Sequence, residues 1–364
     1  MIYIHVPFCH RKCTYCAFYS KVAKGQVSIG SYVDALLAEM EQRKGEQAHP
    51  IHTVYFGGGT PSILPIAELA RIIDGLHRCF DLSQLEEMTI EANPEDLSPQ
   101  YLVDLSKLGF NRISIGIQSL DDKILRLLNR RHTAQQALDA IHNAHATGFD
   151  NISVDFIYGF TDGQVMPEVF EGVTHVSAYA LTVEHGTALA VQVERGMVQL
   201  PDEDEVVRQY HALHRRLTEA GFHQYEVSNY TRPGYESKHN SRYWNRTPYL
   251  GLGPAAHSFD GQHRRWNVSD VEKYISCQPG RTCHEEETLS EIDAYNELLM
   301  TSLRTTSGLP LANVPEGQKE RLHRLMQPFI NCGWIVLNNG HYSPTEDGLL
   351  HADGIAADLF IGGA

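Results

Sequence analysis

The sequence predicts an α/β fold, an incomplete (β/α)6 barrel followed by an accessory region and a small C-terminal helical, winged-helix-like domain. Two observations carry the barrel. From residue 1 to about 182, short runs rich in β-branched and apolar residues alternate with stretches of helix-period apolar spacing. Repeated units of this kind imply parallel strands joined by right-handed crossovers, and six of them leave the ring open rather than closed at eight. A third observation is the loss of that regularity after residue 182 and the return of long helices after about 288, which divides the chain into 1–182, 183–287 and 288–364. A length of 364 residues suits one sizeable core with an appended module.

The predicted strands are 1–5, 53–56, 88–92, 112–118, 152–157 and 176–181. Helices are expected over 32–44, 66–79, 102–108, 121–128 and 133–147. The fifth connection is thin, because only residues 159–174 separate its strands and Gly163, Pro167 and Gly172 fall within it. It accommodates one short helix at best. Beyond the barrel, 204–220 reads as an amphipathic helix with Val206, Tyr210, Leu213 and Leu217 on one stripe, and 224–229 as a strand. The last segment shows helices at about 290–305 and 316–330, then a hairpin of 334–337 and 341–343 turned by Asn338-Asn339-Gly340. Helices followed by a hairpin suggest DNA binding, yet Glu285, Glu286, Glu287, Glu291 and Asp293 surround them, which favours a structural or partner-contact role.

Composition narrows the function classes. A formal charge of −15 disfavours nucleic acid as a partner, since phosphate contacts need clustered Lys and Arg. No apolar run reaches the roughly 20 residues that span a bilayer, so membrane contact would be peripheral. Seven cysteines with Cys79, Cys277, Cys283 and Cys332 scattered singly show no even framework, and the chain opens on a strand instead of a signal sequence. The compartment expected from this is reducing, the cytoplasm. Twenty histidines make metal or haem ligation worth testing.

Cys9-x3-Cys13-x2-Cys16 places three thiols on one tight loop with no fourth cysteine close by. Three soft ligands suit a [4Fe–4S] cluster with one iron left open, and that iron can chelate the amino and carboxylate groups of a small molecule. An odd trio argues against a disulfide. A structural zinc completed by His5 or His10 is the other alternative, although zinc sites more often use two separated Cys or His pairs.

Strand phase locates further polar groups. In 112–118, Ile113, Ile115 and Ile117 share one face and Ser114, Gly116 and Gln118 the other. The same phase points Thr89, Glu91, Ser153 and Asp155 into the lumen. Glu91 and Gln118 stand at strand C-termini, where barrel enzymes place their chemistry and where the cysteine loop also emerges. Residues of this kind can simply bond one another, but their convergence on one rim favours a ligand site. Gly57-Gly58-Gly59-Thr60-Pro61 directly follows the second strand and lets backbone approach a ligand; by itself such a run marks only a tight turn.

Together, Tyr3-x-His5-x-Pro7-Phe8-Cys9-x3-Cys13-x2-Cys16, the Gly57–Pro61 run, Glu91-Ala92-Asn93-Pro94, Ser114-Ile115-Gly116-Ile117-Gln118-Ser119, Asp155-Phe156-Ile157-Tyr158-Gly159 and His239-Asn240-Ser241-Arg242-Tyr243-Trp244 resemble the HemN/HemW branch of radical-SAM proteins over nearly the whole chain. The resemblance implies a radical-SAM barrel in which Cys9, Cys13 and Cys16 hold the [4Fe–4S] cluster. It also implies that Tyr3, Tyr15, Gly59, Thr60, Glu91, Gln118, Arg130 and Asp155 surround S-adenosylmethionine (SAM). Arg130 is preferred to Arg131 for its distance from Gln118. Glu91 and Asp155 would accept from the ligand's ammonium or ribose hydroxyls, and Arg130 would meet its carboxylate.

Two branches share these motifs. In the oxygen-independent coproporphyrinogen dehydrogenases a further cysteine follows two positions after the third ligand, where this chain has Phe18, and a longer N-terminal segment precedes the cluster strand. Both differences favour the haem-chaperone branch, and His239-Asn240-x-x-Tyr243-Trp244 is its positive sign. His239, Tyr243 and Trp244 are thereby implied as haem-binding residues, although a loop histidine beside aromatics is more often a packed residue. The aromatic and basic stretch around them, with Tyr249, His257, Trp266, Arg242, Arg246, Arg264 and Arg265, could stack on a porphyrin and pair with its propionates, or finish the open barrel as a lid. Thr161-Asp162-Gly163-Gln164 stands where relatives usually read Pro-Gly-Gln, which puts the fifth helix in doubt.

The function these residues suggest is haem chaperoning: receiving haem and passing it to client haemoproteins, membrane-associated ones among them. The alternatives are a SAM-cleaving coproporphyrinogen dehydrogenase that abstracts hydrogen from a propionate to start its decarboxylation, and a radical-SAM enzyme with another substrate. No catalytic residue is assigned.

Overall fold

The computed structural model describes residues 1–23, 26–47, 49–161, 171–277 and 283–362. Nine strands, β1 (Ile2–Val6), β2 (Thr53–Gly58), β3 (Glu87–Ala92), β4 (Arg112–Gln118), β5 (Ile152–Tyr158), β6 (His175–Ala180), β7 (His223–Gln224), β8 (Asn229–Thr231) and β9 (Leu250–Leu252), make one sheet. Their spatial order is β9-β1-β2-β3-β4-β5-β6-β8-β7. The first six are parallel neighbours in chain order, as the repeated β/α pattern requires. The accessory region adds strands at both edges, β9 parallel to β1 and β8 antiparallel to β6, and so covers edges that a six-stranded open barrel would expose.

The outer faces of the strands are apolar because side chains alternate. Ile2, Ile4, Val54, Phe56, Ile90, Ile113, Ile115, Ile152 and Val154 are all fully buried. Against them pack α1 (Gln26–Arg43), α2 (Ile66–Cys79) and α3 (Pro99–Lys107) and, after α4 (Asp122–Leu127), whose Ile124 packs separately with Leu128, Ile157 and Phe160, α5 (Ala134–Ala146). Leu69, Ile72, Ile73 and Leu76 of α2 repeat at helical spacing and form its buried stripe. Thr133 and Gln136 close a reciprocal capping box at the start of α5. The short helix expected in the fifth crossover, together with its Asp162-Gly163-Gln164 departure, falls on residues outside the described ones.

Two expectations need correction. The stretch 224–229 is not one strand: the chain reverses between β7 and β8, where the buried Glu226 carboxylate accepts from the Ser228 N–H at 2.9 Å and from the Asn229 amide, and this local bonding turns the backbone. Cys277 and Cys283 are bonded to each other rather than single, with Cα atoms 6.4 Å apart, so the argument from scattered thiols does not extend to that pair.

The C-terminal part has its own core, built from Tyr295, Leu299, Leu322, Met326, Tyr342 and Ile355 on helices Glu291–Ser302, Glu316–Asn331 and Ala352–Leu359 and on the hairpin Ile335–Asn338/His341–Pro344. Asn339 and Gly340 turn that hairpin with φ of 49° and 76°, the left-handed pair that Asn-Gly supplies at little strain. Among the described residues no helix is long and apolar enough to cross a membrane.

Candidate cluster and cofactor site

Chain order brings the cysteine loop to the C-terminal rim of the barrel. After β1, Phe8–Cys9 pairs with Lys21–Val22 and closes the loop at its base. Its far side is fastened to the end of α4: the Thr14 N–H donates to Leu128 O at 3.1 Å, the Thr14 hydroxyl to Leu127 O at 3.0 Å, and the Asn129 amide to Lys12 O at 2.8 Å. Cys9, Cys13 and Cys16 then line one open cavity of about 540 Å³. Thr60 Oγ1 donates to Cys9 Sγ and Arg130 Nη1 to Cys13 Sγ, each at 3.6 Å. Donors of this kind suit thiolates, whereas burial alone pushes the Cys9 and Cys16 thiols up.

Among the described residues no three His, Cys, Asp or Glu side chains converge tightly enough to chelate a single ion. Three thiols on one loop, two of them met by donors, suit the thiolate ligation of an iron–sulfur cluster.

The glycine run has a reason beyond the ligand. A Cβ on Gly58, whose φ is +109°, would lie 2.6 Å from the His5 ring, and one on Gly59 would lie 2.5 Å from Phe8 O. Without side chains there, the Gly59 and Thr60 N–H groups reach Val6 O and Phe8 O at 2.8 and 2.7 Å and hold the cysteine loop against β2. Gly58, Gly59 and Thr60 also line the cavity.

Glu91, Gln118, Arg130, Asp155 and Tyr15 meet on the same cavity. Glu91 accepts from the Tyr55 hydroxyl at 2.8 Å and from the Gly58 N–H at 3.2 Å; burial, then the nearby Asp155, pushes its carboxyl up to about 7. Burial also raises Asp155, against hydrogen bonds from Ser177 and Ser114. Gln118 ends β4 at a bulge with φ of 59°, an uncommon backbone for a residue with a side chain and the kind of local strain that aims a group at a site. Arg130 follows left-handed Asn129, and its guanidinium donates to Asn93 Oδ1 at 2.7 Å. Arg131 instead pairs with Glu95 at 3.6 Å.

Tyr3 stands apart from this group. It is not on the cavity wall but below it, its hydroxyl hydrogen-bonded with His5 Nδ1 at 3.1 Å and its ring stacked on Tyr55 at 6.2 Å. Sequence reasoning gave no role to Asn93, which lines the cavity and joins Arg130 to Thr60, nor to Tyr55, which fixes Glu91. The available signal was phase, since Asn93 lies two residues beyond Glu91.

His239, Tyr243 and Trp244 are elsewhere. They lie on α6 (Lys238–Trp244), which caps the N-terminal end of the barrel, away from the cysteines. His239 is 0% exposed, with its N–H donating to Glu87 at 2.9 Å, Nδ1 bonded with the Thr53 hydroxyl at 2.9 Å and Nε2 with the Tyr243 hydroxyl at 3.2 Å. Burial first, then neighbouring positive charge, pushes its imidazole down to about 3. The Trp244 ring carries Arg304 over its face at 5.4 Å.

An open parallel barrel with three cysteines on the loop after its first strand, carboxylates on the rim and glycines beside them defines a radical-SAM protein. Residues 3–164 match the Radical SAM superfamily and residues 289–351 the HemN C-terminal domain. The chain is 39% identical to Heme chaperone HemW of Mycobacterium tuberculosis over 98% of its own length and 94% of the relative's, and 34% identical to Heme chaperone HemW of Bacillus subtilis over 84% of each. It belongs to the HemW family. Coproporphyrinogen III oxidase (HemN) from Escherichia coli shares the fold, with a TM-score of 0.83 at 23% identity over 99% of this chain and 89% of that one.

Proposed function

We propose that this protein is a haem chaperone that carries a [4Fe–4S] cluster on Cys9, Cys13 and Cys16, binds SAM on the cavity above Glu91 and Asp155, and delivers haem to client haemoproteins in the cytoplasm, membrane-associated ones included. The observation that carries this reading is similarity along 98% of the chain to a protein named as a haem chaperone. The residues present fit the two resident groups. When bound, the cluster supplies an electron-transfer centre with an open iron for a chelating ligand. Glu91, Asp155 and Gln118 offer acceptors toward a ligand's ammonium and hydroxyls, Arg130 offers a cation toward its carboxylate, and Thr60 and Arg130 steady the thiolates.

Phe18 supports the chaperone over the dehydrogenase. It lines the cavity with 71% of its surface exposed and offers no thiol beside the cluster loop. The closed geometry of His239 supports a role in holding α6 on the barrel floor. Axial ligation of haem requires α6 to withdraw, because both ring nitrogens are engaged. The test is anaerobic reconstitution followed by parallel haem titration and coproporphyrinogen III turnover. Haem binding without turnover is expected; protoporphyrinogen at many turnovers moves the chain to the dehydrogenase reading.

A further inference from the structure

Below the SAM cavity, beside the stacked Tyr3 and Tyr55 rings, the lumen carries a buried cation. Arg112 is 1% exposed, yet its Nε and Nη1 have no hydrogen-bond partner and it forms no ion pair among the described residues. Thr89, its register partner on β3, is fully buried with its hydroxyl also unpartnered. A buried guanidinium with idle donors is costly unless internal water or a nearby charge offsets it. The register supplies the charge: two residues up β4, about 7 Å along the strand, Ser114 pairs with Glu91 on β3, and its hydroxyl bonds Asp155 on β5.

We propose that Arg112 is a positioning residue for the SAM site: it is the counter-charge below Glu91 and Asp155 that favours their carboxylate forms, opposing the burial that raises them, and so keeps them aimed at the ligand. The idea rests on the SAM reading above. Arg112 acts on Glu91, Asp155, His175, His239, Tyr55 and Tyr225, and so is the common electrostatic neighbour of rim and floor. The other groups facing the two carboxylates are tyrosines, Tyr3, Tyr55 and Tyr179, with Arg130 and Tyr15 on the rim side; the Glu87 carboxylate lies on the floor beside Tyr225. Of the cations that act on the two carboxylates among the described residues, Arg130 lies on the rim and Arg112 below.

The experiment is titration of SAM into reconstituted protein from about pH 6 to about pH 9. Wild-type affinity should rise with pH as Glu91 ionises. Arg112→Gln should move that midpoint upward by about one unit and weaken neutral-pH binding roughly tenfold, while Arg112→Lys, which keeps the charge, should retain the wild-type midpoint. In the wild-type protein, without any reliance on the Gln variant folding, the Arg112 Nε–H resonance, assigned by its loss in Arg112→Lys, should shift with the same midpoint. A profile that Glu91→Gln flattens but Arg112→Gln leaves in place, or an Arg112 signal that does not move, overturns the role of Arg112 alone. A profile that Glu91→Gln leaves unchanged overturns this proposal, and reconstituted protein that binds no SAM at any pH overturns the SAM reading itself.

Discussion

The imidazole of His239 lies 2.9 Å from the Thr53 hydroxyl, at the end of the barrel opposite the three cysteines. Thr53 is the first residue of its strand, as Glu87 is of the next, and Glu87 accepts from the N–H groups of both Lys238 and His239. The motif that reads as a haem signature is therefore the bolt between accessory region and barrel floor in this structure.

Replacing His239 by Ala removes two ring hydrogen bonds from a fully buried site and should destabilise the protein by about 2–4 kcal/mol in chemical denaturation. The iron–sulfur absorbance should survive in the folded fraction. The Soret band of bound haem should keep its position; a shifted band in a well-folded His239→Ala protein shows that α6 opens and His239 ligates.

The cysteine loop makes a sharper demand. Cys9→Ala, Cys13→Ala and Cys16→Ala should each lose the cluster absorbance after reconstitution. Cys79→Ala should keep it, because Cys79 lies on α2 with its thiol donating to Glu41 at 3.5 Å, far from the cavity. Full iron and sulfide content in Cys13→Ala protein contradicts the ligand assignment.

Gly59→Ala should be more damaging than its size suggests. The added methyl meets Phe8 O at 2.5 Å, so β2 or the loop base must shift, at a cost of about 2 kcal/mol or more, and cluster content should fall with it. Thermal denaturation with iron analysis tests both halves. Gly45→Ala, with nothing within 4 Å, should change neither.

Glu91 gives the empty protein a pH dependence of fixed sign. Its carboxyl is raised from 4.5 to about 7 by burial, so between those values the folded state holds a proton that the unfolded state has released. This contribution to stability is present below about pH 4.5 and is lost as pH rises through about 7, on the order of 3 kcal/mol across the window. Glu91→Gln should remove that slope in denaturant titrations of cluster-free protein. An unaltered slope assigns it to another group.

Much of this was legible in the sequence, for identifiable reasons. Period-2 alternation placed Ser114, Glu91 and Asp155 in the lumen, and α2 was found at its observed bounds because Leu69, Ile72, Ile73 and Leu76 repeat at helical spacing. Asn-Gly fixed the terminal hairpin. What escaped depends on long-range contact. The fastening of Thr14 to the end of α4 joins residues 113 apart or more, and the Thr53–His239 bond joins residues 186 apart. The reversal at Glu226 rests on a buried carboxylate bonding its own neighbours, which a β-rich hexapeptide conceals. Tyr3 shares the lumen phase, yet packing on Tyr55 and His5 withdraws it beneath the wall.

The most direct measurement of the central claim is haem transfer. Reconstituted protein loaded with stoichiometric haem is mixed anaerobically with an apo-haemoprotein, and the Soret spectra of donor and acceptor are followed with and without SAM. The account expects the donor band to be lost as the acceptor's holo-spectrum grows, faster than from free haem at the same concentration. Haem that stays on the donor, or that reaches the acceptor no faster than free haem does, contradicts it.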